Sequence, residues 1–224
     1  MSAPLAPDLA VLDDRFVLDE REVRIGNRVW RLECPRSVDD LINEADFERD
    51  ERLPYWAELW PSAIALATAV NDRDGTGGRA LELGCGLGLP ALVAASAGFD
   101  VTATDYYDDA LRFARRNAVR NLGRDIGTRL VDWCAFPGDL GHFDLVLASD
   151  VLYERRYALL VARAVVQSLA PDGVALIADP GRAALGSFRD ACVALGGRVG
   201  EPRDARVEGC STKREITIYE VRLG

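Results

Sequence analysis

Three glycines at alternate positions, Gly84, Gly86 and Gly88 in "LELGCGLGLPAL", follow an acid, Glu82, and precede an apolar run. A glycine inside a regular element costs about 0.5–1 kcal/mol relative to alanine, so the stretch reads as a loop needing left-handed backbone or close approach of another molecule. The run ending at Leu83 reads as a strand, and Leu89, Leu92 and Val93 recur at helical spacing behind the loop. Strand, glycine loop and helix in that order aim free N–H groups and the positive end of a helix at whatever fills the loop. A second acid, Asp105, falls 21 residues after Gly84 at the end of the next strand, "FDVTATD". There a carboxylate can accept both hydroxyls of a ribose, which favours an adenosine-containing ligand. Asp150 closes a further strand, "FDLVLASD", with Tyr153 shortly after it, at the carboxyl edge where reacting groups belong.

The elements that must position these residues alternate along the chain. After "FDVTATD" comes a helix, "YYDDALRFARRNAVRN", with acids at its start and arginines at its end. "TRLVDW" reads as a third strand and the near-continuously apolar "FDLVLASD" as a fourth, buried on both faces. A helix ("RRYALLVARAVVQSLA"), a fifth strand ("GVALIADP") and another helix ("RAALGSFRDACVAL") follow. "REITIYEVRL" alternates cleanly and predicts an antiparallel strand paired with one near Arg198 to Gly200. This order predicts a doubly wound α/β fold whose ligand lies beyond the carboxyl ends of the strands. Ahead of it, residues 1–12 read as a disordered tail and 13–53 as an elaboration: an antiparallel hairpin from Phe16 to Leu32, then a helix in "SVDDLINEADFERD" capped by Ser37. Residues 54–224 form the main domain, whose first helix starts near Pro61.

The 224 residues suffice for one domain with a core. No basic start precedes an apolar run at the N-terminus, and the longest uncharged stretch, Leu83–Phe99, carries glycines and Pro90. A soluble cytoplasmic protein is expected, without membrane insertion. Five widely spaced cysteines without a CxxC pair indicate neither a disulfide framework nor a zinc site, and no metal is expected. A net charge of −9 argues against nucleic acid as a partner. Residues 1–53 hold 14 acidic against 8 basic side chains, which reads as a solvated acidic face. Lys213 is the only lysine, so a Tyr-x-x-x-Lys dehydrogenase pair and a P-loop lysine are both missing. His142, the only histidine, reads as an exposed loop residue rather than a general base.

"LELGCGLG" resembles motif I of class I S-adenosylmethionine (SAM)-dependent methyltransferases, whose pattern places an acid such as Glu82 two residues before the first glycine. "VDWCAF" resembles their adenine-contacting pair, here Asp132 and Trp133. More narrowly, "PYWAELWPSAIAL", "ASDVLY" and "ADPGR" resemble the lysine methyltransferases of methyltransferase family 16, over about Pro54 to Arg182. The resemblance implies a seven-stranded, mostly parallel Rossmann-like sheet ending in an antiparallel strand. It implies a SAM site built from Trp60, Glu82, Gly84, Cys85, Gly86, Gly88, Asp105, Tyr106, Asp132, Trp133 and Ser149, with Asp150 and Tyr153 of the D-x-x-Y signature as catalytic residues. The product would be S-adenosylhomocysteine. The implied partner is a protein presenting a lysine, the electron transfer flavoprotein beta subunit being the substrate of one branch.

Losing the lysine proton at pH 7 costs roughly 4.6 kcal/mol from a reference pKa near 10.4. A sulfonium about 4 Å away repels the ammonium by around 4 kcal/mol at an effective dielectric of 20, so no histidine base is required. Asp150 then captures and orients the amine, with Tyr153 as wall or hydrogen-bond partner. A small-molecule methyltransferase and a non-catalytic SAM-binding module stay open as alternatives. A nicotinamide oxidoreductase is disfavoured because G-x-G-x-G departs from G-x-G-x-x-G.

Overall fold

The computed structural model describes residues 6–37, 41, 54–205, 207 and 215–224. The helix expected in "SVDDLINEADFERD" lies outside the described residues, apart from Ser37 and Leu41. Strands β3 (Arg79–Leu83), β4 (Asp100–Asp105), β5 (Gly127–Leu130), β6 (Phe143–Ser149), β7 (Leu169–Asp179), β8 (Gly197–Val199), β9 (Arg203–Ala205) and β10 (Ile216–Leu223) form one sheet. Its order is β5-β4-β3-β6-β7-β10-β8, with β9 also paired to β10. The first five strands of this order are parallel, and β10 runs antiparallel to β7 and β8. The expected partner of the terminal strand is therefore found, and the short β9 is an addition to the seven strands.

Helices α3 (Pro61–Asn71), α4 (Leu89–Ser96) and α5 (Asp108–Leu122) share one buried cluster with Ala80, Leu145 and Leu147 of the sheet. Helices α6 (Tyr157–Ser168) and α7 (Leu185–Ala194) share the other with Leu81, Leu83, Val146 and Ala148. Alternate residues of β3 and β6 thus feed opposite layers, which explains why both strands read as unbroken apolar runs. The chain moves from β3 outward to β4 and β5, then returns past β3 to β6 and β7. A crevice opens where the order reverses, between the carboxyl ends of β3 and β6.

The hairpin of β1 (Leu18–Ile25) and β2 (Arg28–Pro35) packs on α5. Two asparagines one helical turn apart meet β2 as a strand would. The Glu33 N–H donates to Asn117 Oδ1 at 2.8 Å, and Asn117 Nδ2 donates to the Glu33 carbonyl at 3.1 Å. Asn121 does the same for Arg31, at 3.0 and 2.8 Å. The match is geometric, because a two-residue strand step spans about 6.6 Å and four helical residues rise about 6 Å. Asn117 Nδ2 also donates to the Leu87 carbonyl at 3.1 Å, tying the glycine loop to the hairpin.

Of the stretch read as a disordered tail, residues 1–5 lie outside the described residues, and residues 6–12 carry helical structure. Short helices α1 (Pro7–Ala10) and α2 (Leu12–Arg15) place Leu9 and Leu12 fully out of solvent. The Pro- and Ala-rich composition concealed two leucines spaced for one helical face. Arg116 of α5, itself buried, donates to both Asp13 oxygens at 2.8 and 2.7 Å, to the Leu9 carbonyl at 3.2 Å and to Glu33.

Candidate active site

Register assembles the site. Leu83 pairs with Thr104 and with Ala148, so the glycine loop lies between the ends of β4 and β6. Asp105 pairs with Leu130, which brings Asp132 and Trp133 alongside. Ser149 pairs with Ala178, which brings the turn after β7 to Asp150. Parallel strands ending together make neighbours of residues far apart in sequence. Among the described residues they surround a cavity of about 580 Å³, within the range of small-molecule sites.

Gly84, Cys85, Gly86 and Gly88 all line that cavity, and Gly88 begins α4 in left-handed backbone. Gly86 has φ +50°, and a Cβ there would stand 2.9 Å from the Trp56 carbonyl oxygen, so its lack of a side chain serves the protein's own packing as well as any ligand. Asp105 is 7% exposed; its Oδ2 accepts the Gly86 N–H at 2.9 Å and its Oδ1 the Tyr107 N–H at 3.0 Å. Burial pushes its carboxyl up against the opposing pull of these bonds. Asp105 lines the cavity, and a carboxylate oxygen can accept more than one hydrogen bond.

Glu82 stands elsewhere. It is fully buried beneath the loop and is not part of the cavity wall. Its Oε2 accepts the Ala91 N–H of α4 at 2.8 Å, while Oε1 has no partner among the described residues. Burial first, and then Asp105, holds its carboxyl well above the usual carboxylate range. Glu82 is open to two readings, contact with the ligand or support of its loop, and this placement at the loop–helix junction fits the second.

Asp132 lines the cavity and caps a 3-10 turn, Trp133–Ala135, accepting the Cys134 N–H at 2.8 Å. The Trp133 ring reaches Gly84 and meets Tyr157 edge-on at 5.3 Å. Tyr106, Ser149 and Trp60 line the same space. Edge-on contacts continue from Tyr157 to Tyr153 at 5.2 Å, from Tyr153 to Tyr55 at 5.5 Å and from Tyr55 to Trp60 at 6.1 Å. Tyr153 is 38% exposed, yet desolvation and the Tyr157 hydroxyl raise its phenol far enough to keep it protonated at neutral pH. A phenolate base is therefore not available there. His142 is exposed, as its loop position suggests.

Asp150 is the one non-glycine residue with positive φ among those described, at +57°. Such backbone is sparsely populated, and here its N–H is held by the Ala178 carbonyl at 2.9 Å. Its Oδ1 receives Arg182 Nε and Nη2, both at 2.7 Å, and its Oδ2 faces the buried Ser62 hydroxyl at 3.4 Å. Sequence reasoning did not find Ser62 or Tyr157. The signals available were Ser62 beside Pro61 at a helix start and Tyr157 one helical turn beyond Tyr153. Five carboxylates, Glu58, Asp105, Asp132, Asp150 and Glu154, line the cavity against one guanidinium, Arg182, a balance suited to a cationic ligand.

Residues 51–206 match the methyltransferase domain family. The chain belongs to that family. Within it, the chain falls in the class I, SAM-dependent, family 16-like group, which the motif resemblance pointed to. It is 32% identical over 138 residues to the electron transfer flavoprotein beta subunit lysine methyltransferase of Xenopus laevis, covering 60% of this chain and 55% of that protein. It is 28% identical over 143 residues to the histone-arginine methyltransferase METTL23 of the same species, covering 61% of each. The chain thus spans between half and two thirds of the length of these curated relatives. Its fold matches magnesium protoporphyrin IX methyltransferase (ChlM) from Synechocystis PCC 6803, solved with bound SAM, at a TM-score of 0.56 and 18% identity over 82% of this chain and 94% of that one.

Proposed function

We propose that this chain is a SAM-dependent N-methyltransferase acting on a lysine side chain of a protein substrate. The carrying observation is that Asp150, held in left-handed backbone at the end of β6, opens into the same cavity as the glycine loop and Asp105. Asp105, which lines the cavity, fits the ribose hydroxyls of SAM; Trp133 and Asp132 fit its adenine; the acidic wall fits its positive charge. SAM when bound supplies the methyl group on a sulfonium.

The chain's own part is binding, orientation and exclusion of water. Tyr153 and Tyr157 wall the space beside Asp150, while Tyr55, 40% exposed, stands where a protein surface would approach. The lysine relative from Xenopus laevis supports a protein substrate, and the electron transfer flavoprotein beta subunit is the first protein to test. Among the described residues no helix is long and apolar enough to cross a membrane.

The test is incubation of the purified protein with methyl-labelled SAM and a lysate of its own source cells. Methyl-lysine in one or two protein bands is the expected result. Label confined to small molecules would replace this reading with a small-molecule methyltransferase. SAM binding without any transfer would replace it with a non-catalytic binding module.

A further inference from the structure

Asp150 is not an open anionic hook. Arg182 lies on its Oδ1 through two nitrogens at 2.7 Å, and the side chains of the pair are 27% and 6% exposed. The arginine is fixed from behind as well as in front. Its backbone N–H donates to Asp179 Oδ1 at 2.6 Å, and its guanidinium sits 6.0 Å from the Trp60 ring centre. Oδ2 of Asp150 is left with the long Ser62 contact and room to accept a further hydrogen bond.

We infer that Arg182 is a positioning residue that keeps Asp150 as a neutral pair, so that the substrate nitrogen is received as an uncharged amine donating one N–H to Asp150 Oδ2. This deepens the lysine reading and rests on it. A bare carboxylate would favour the ammonium, which has no lone pair for attack; a carboxylate already matched by a guanidinium does not. The incoming ammonium sheds one proton to water. The amine lone pair then forms the N–C bond as the methyl carbon parts from sulfur, which keeps the electron pair, and the product is a methylammonium.

Titratable groups face this position from every side. Tyr153 and Glu154 follow Asp150 itself, Tyr55 and Glu58 precede α3, and Asp179 lies behind Arg182. Cys85, Asp105, Tyr106, Tyr107, Asp132 and Tyr157 complete the wall. Glu154 is paired with Arg156 at 2.6 Å, and Asp105 and Asp132 accept backbone N–H groups. Burial pushes the Asp179 carboxyl up while the backbone N–H of Arg182 pulls it down, and the guanidinium itself lies on Asp150 rather than on Asp179. Asp179 apart, whose carboxyl the Arg182 charge also pulls down, these groups keep their partners when only Arg182 is changed.

The first experiment titrates n-butylamine at pH 7.5 into protein saturated with S-adenosylhomocysteine, following tryptophan fluorescence from Trp60 and Trp133. Arg182→Gln should bind the alkylammonium at least tenfold more tightly than wild type. Arg182→Lys should bind like wild type, and Asp150→Asn added to Arg182→Gln should cancel the gain. Equal or weaker binding by Arg182→Gln overturns the inference. A second readout is the rate of methyl-lysine formation on soluble protein of the source cells across pH. The acid limb for Arg182→Gln should move upward, giving at least a fivefold loss at pH 7 that closes by pH 9.5, whereas parallel profiles overturn it. A wild type that forms no methyl-lysine at any pH sinks the lysine reading, and the amine titration then decides the role of Arg182 alone.

Discussion

The Trp56 carbonyl closes over Gly86, leaving 2.9 Å to the place a Cβ would occupy. The contact joins the segment before α3 to the glycine loop and holds one wall of the cavity against its floor. Gly86→Ala would meet that oxygen and a positive φ together. A loss of roughly 1–3 kcal/mol in urea unfolding is expected, with weaker SAM binding in calorimetric titration. Unchanged stability would show that the loop gives way freely.

Asp105 bonds to two backbone N–H groups while facing the cavity. Asp105→Asn substitutes an amide that cannot accept on both sides. SAM affinity should fall at least tenfold, about 1.4 kcal/mol. An unchanged affinity by titration calorimetry would contradict the assignment of this acid to the ribose.

Asp150 lies beyond the glycine loop, so Asp150→Asn should leave SAM affinity within about twofold. Turnover should drop about 100-fold through misplacement of the amine. Label transfer to lysate protein measures the second quantity, and undiminished transfer would remove Asp150 from the reaction.

Arg116 gathers Asp13, Glu33 and the Leu9 carbonyl on one buried guanidinium. Arg116→Met keeps the stem and deletes the charge. Because Asp13 is half exposed and can rehydrate, a cost of about 2–3 kcal/mol is expected rather than the full penalty of a buried broken pair. Chemical denaturation measures it, and a change under about 0.5 kcal/mol would make the network ornamental.

Glu82 gives a pH signature of unusual sign. Its folded carboxyl is raised above 4.5, so the stability it permits is complete below that value and declines as pH climbs through the folded one. Glu82→Gln removes the decline. Its melting temperature should exceed that of wild type by a margin that widens from pH 5 to pH 8, measured by scanning calorimetry without SAM. A constant margin would mean that Glu82 carries no burial penalty.

The strand, glycine loop, helix and distant acid were legible because parallel strands end level with one another, so spacing along the chain translates into proximity across the sheet. On that basis Asp105, Trp133 and Asp150, distant in the chain, line one cavity. Which of its two readings suits Glu82, ligand contact or loop support, is also visible in the sequence. Strand alternation puts it on the face of Ala80, toward α4, and its carboxylate runs to Ala91. The Asp150–Arg182 pair was not legible, since its members lie 32 residues apart and their meeting depends on the register of β6 with β7. Helices α1 and α2 escaped because two buried leucines are too short a pattern to outweigh prolines and alanines.

Asn117 and Asn121 fill the backbone hydrogen-bonding groups of Glu33 and Arg31 on the edge of β2 that faces away from β1. A two-stranded ribbon ordinarily offers such an edge to any passing chain as a template for intermolecular pairing. Here the helix answers it with side chains, at the same spacing a third strand would use. The two asparagines therefore occupy at Glu33 and Arg31 the groups through which another chain would pair with the hairpin, and a pair of alanines in their place would leave those groups unanswered while also freeing the Leu87 carbonyl of the glycine loop.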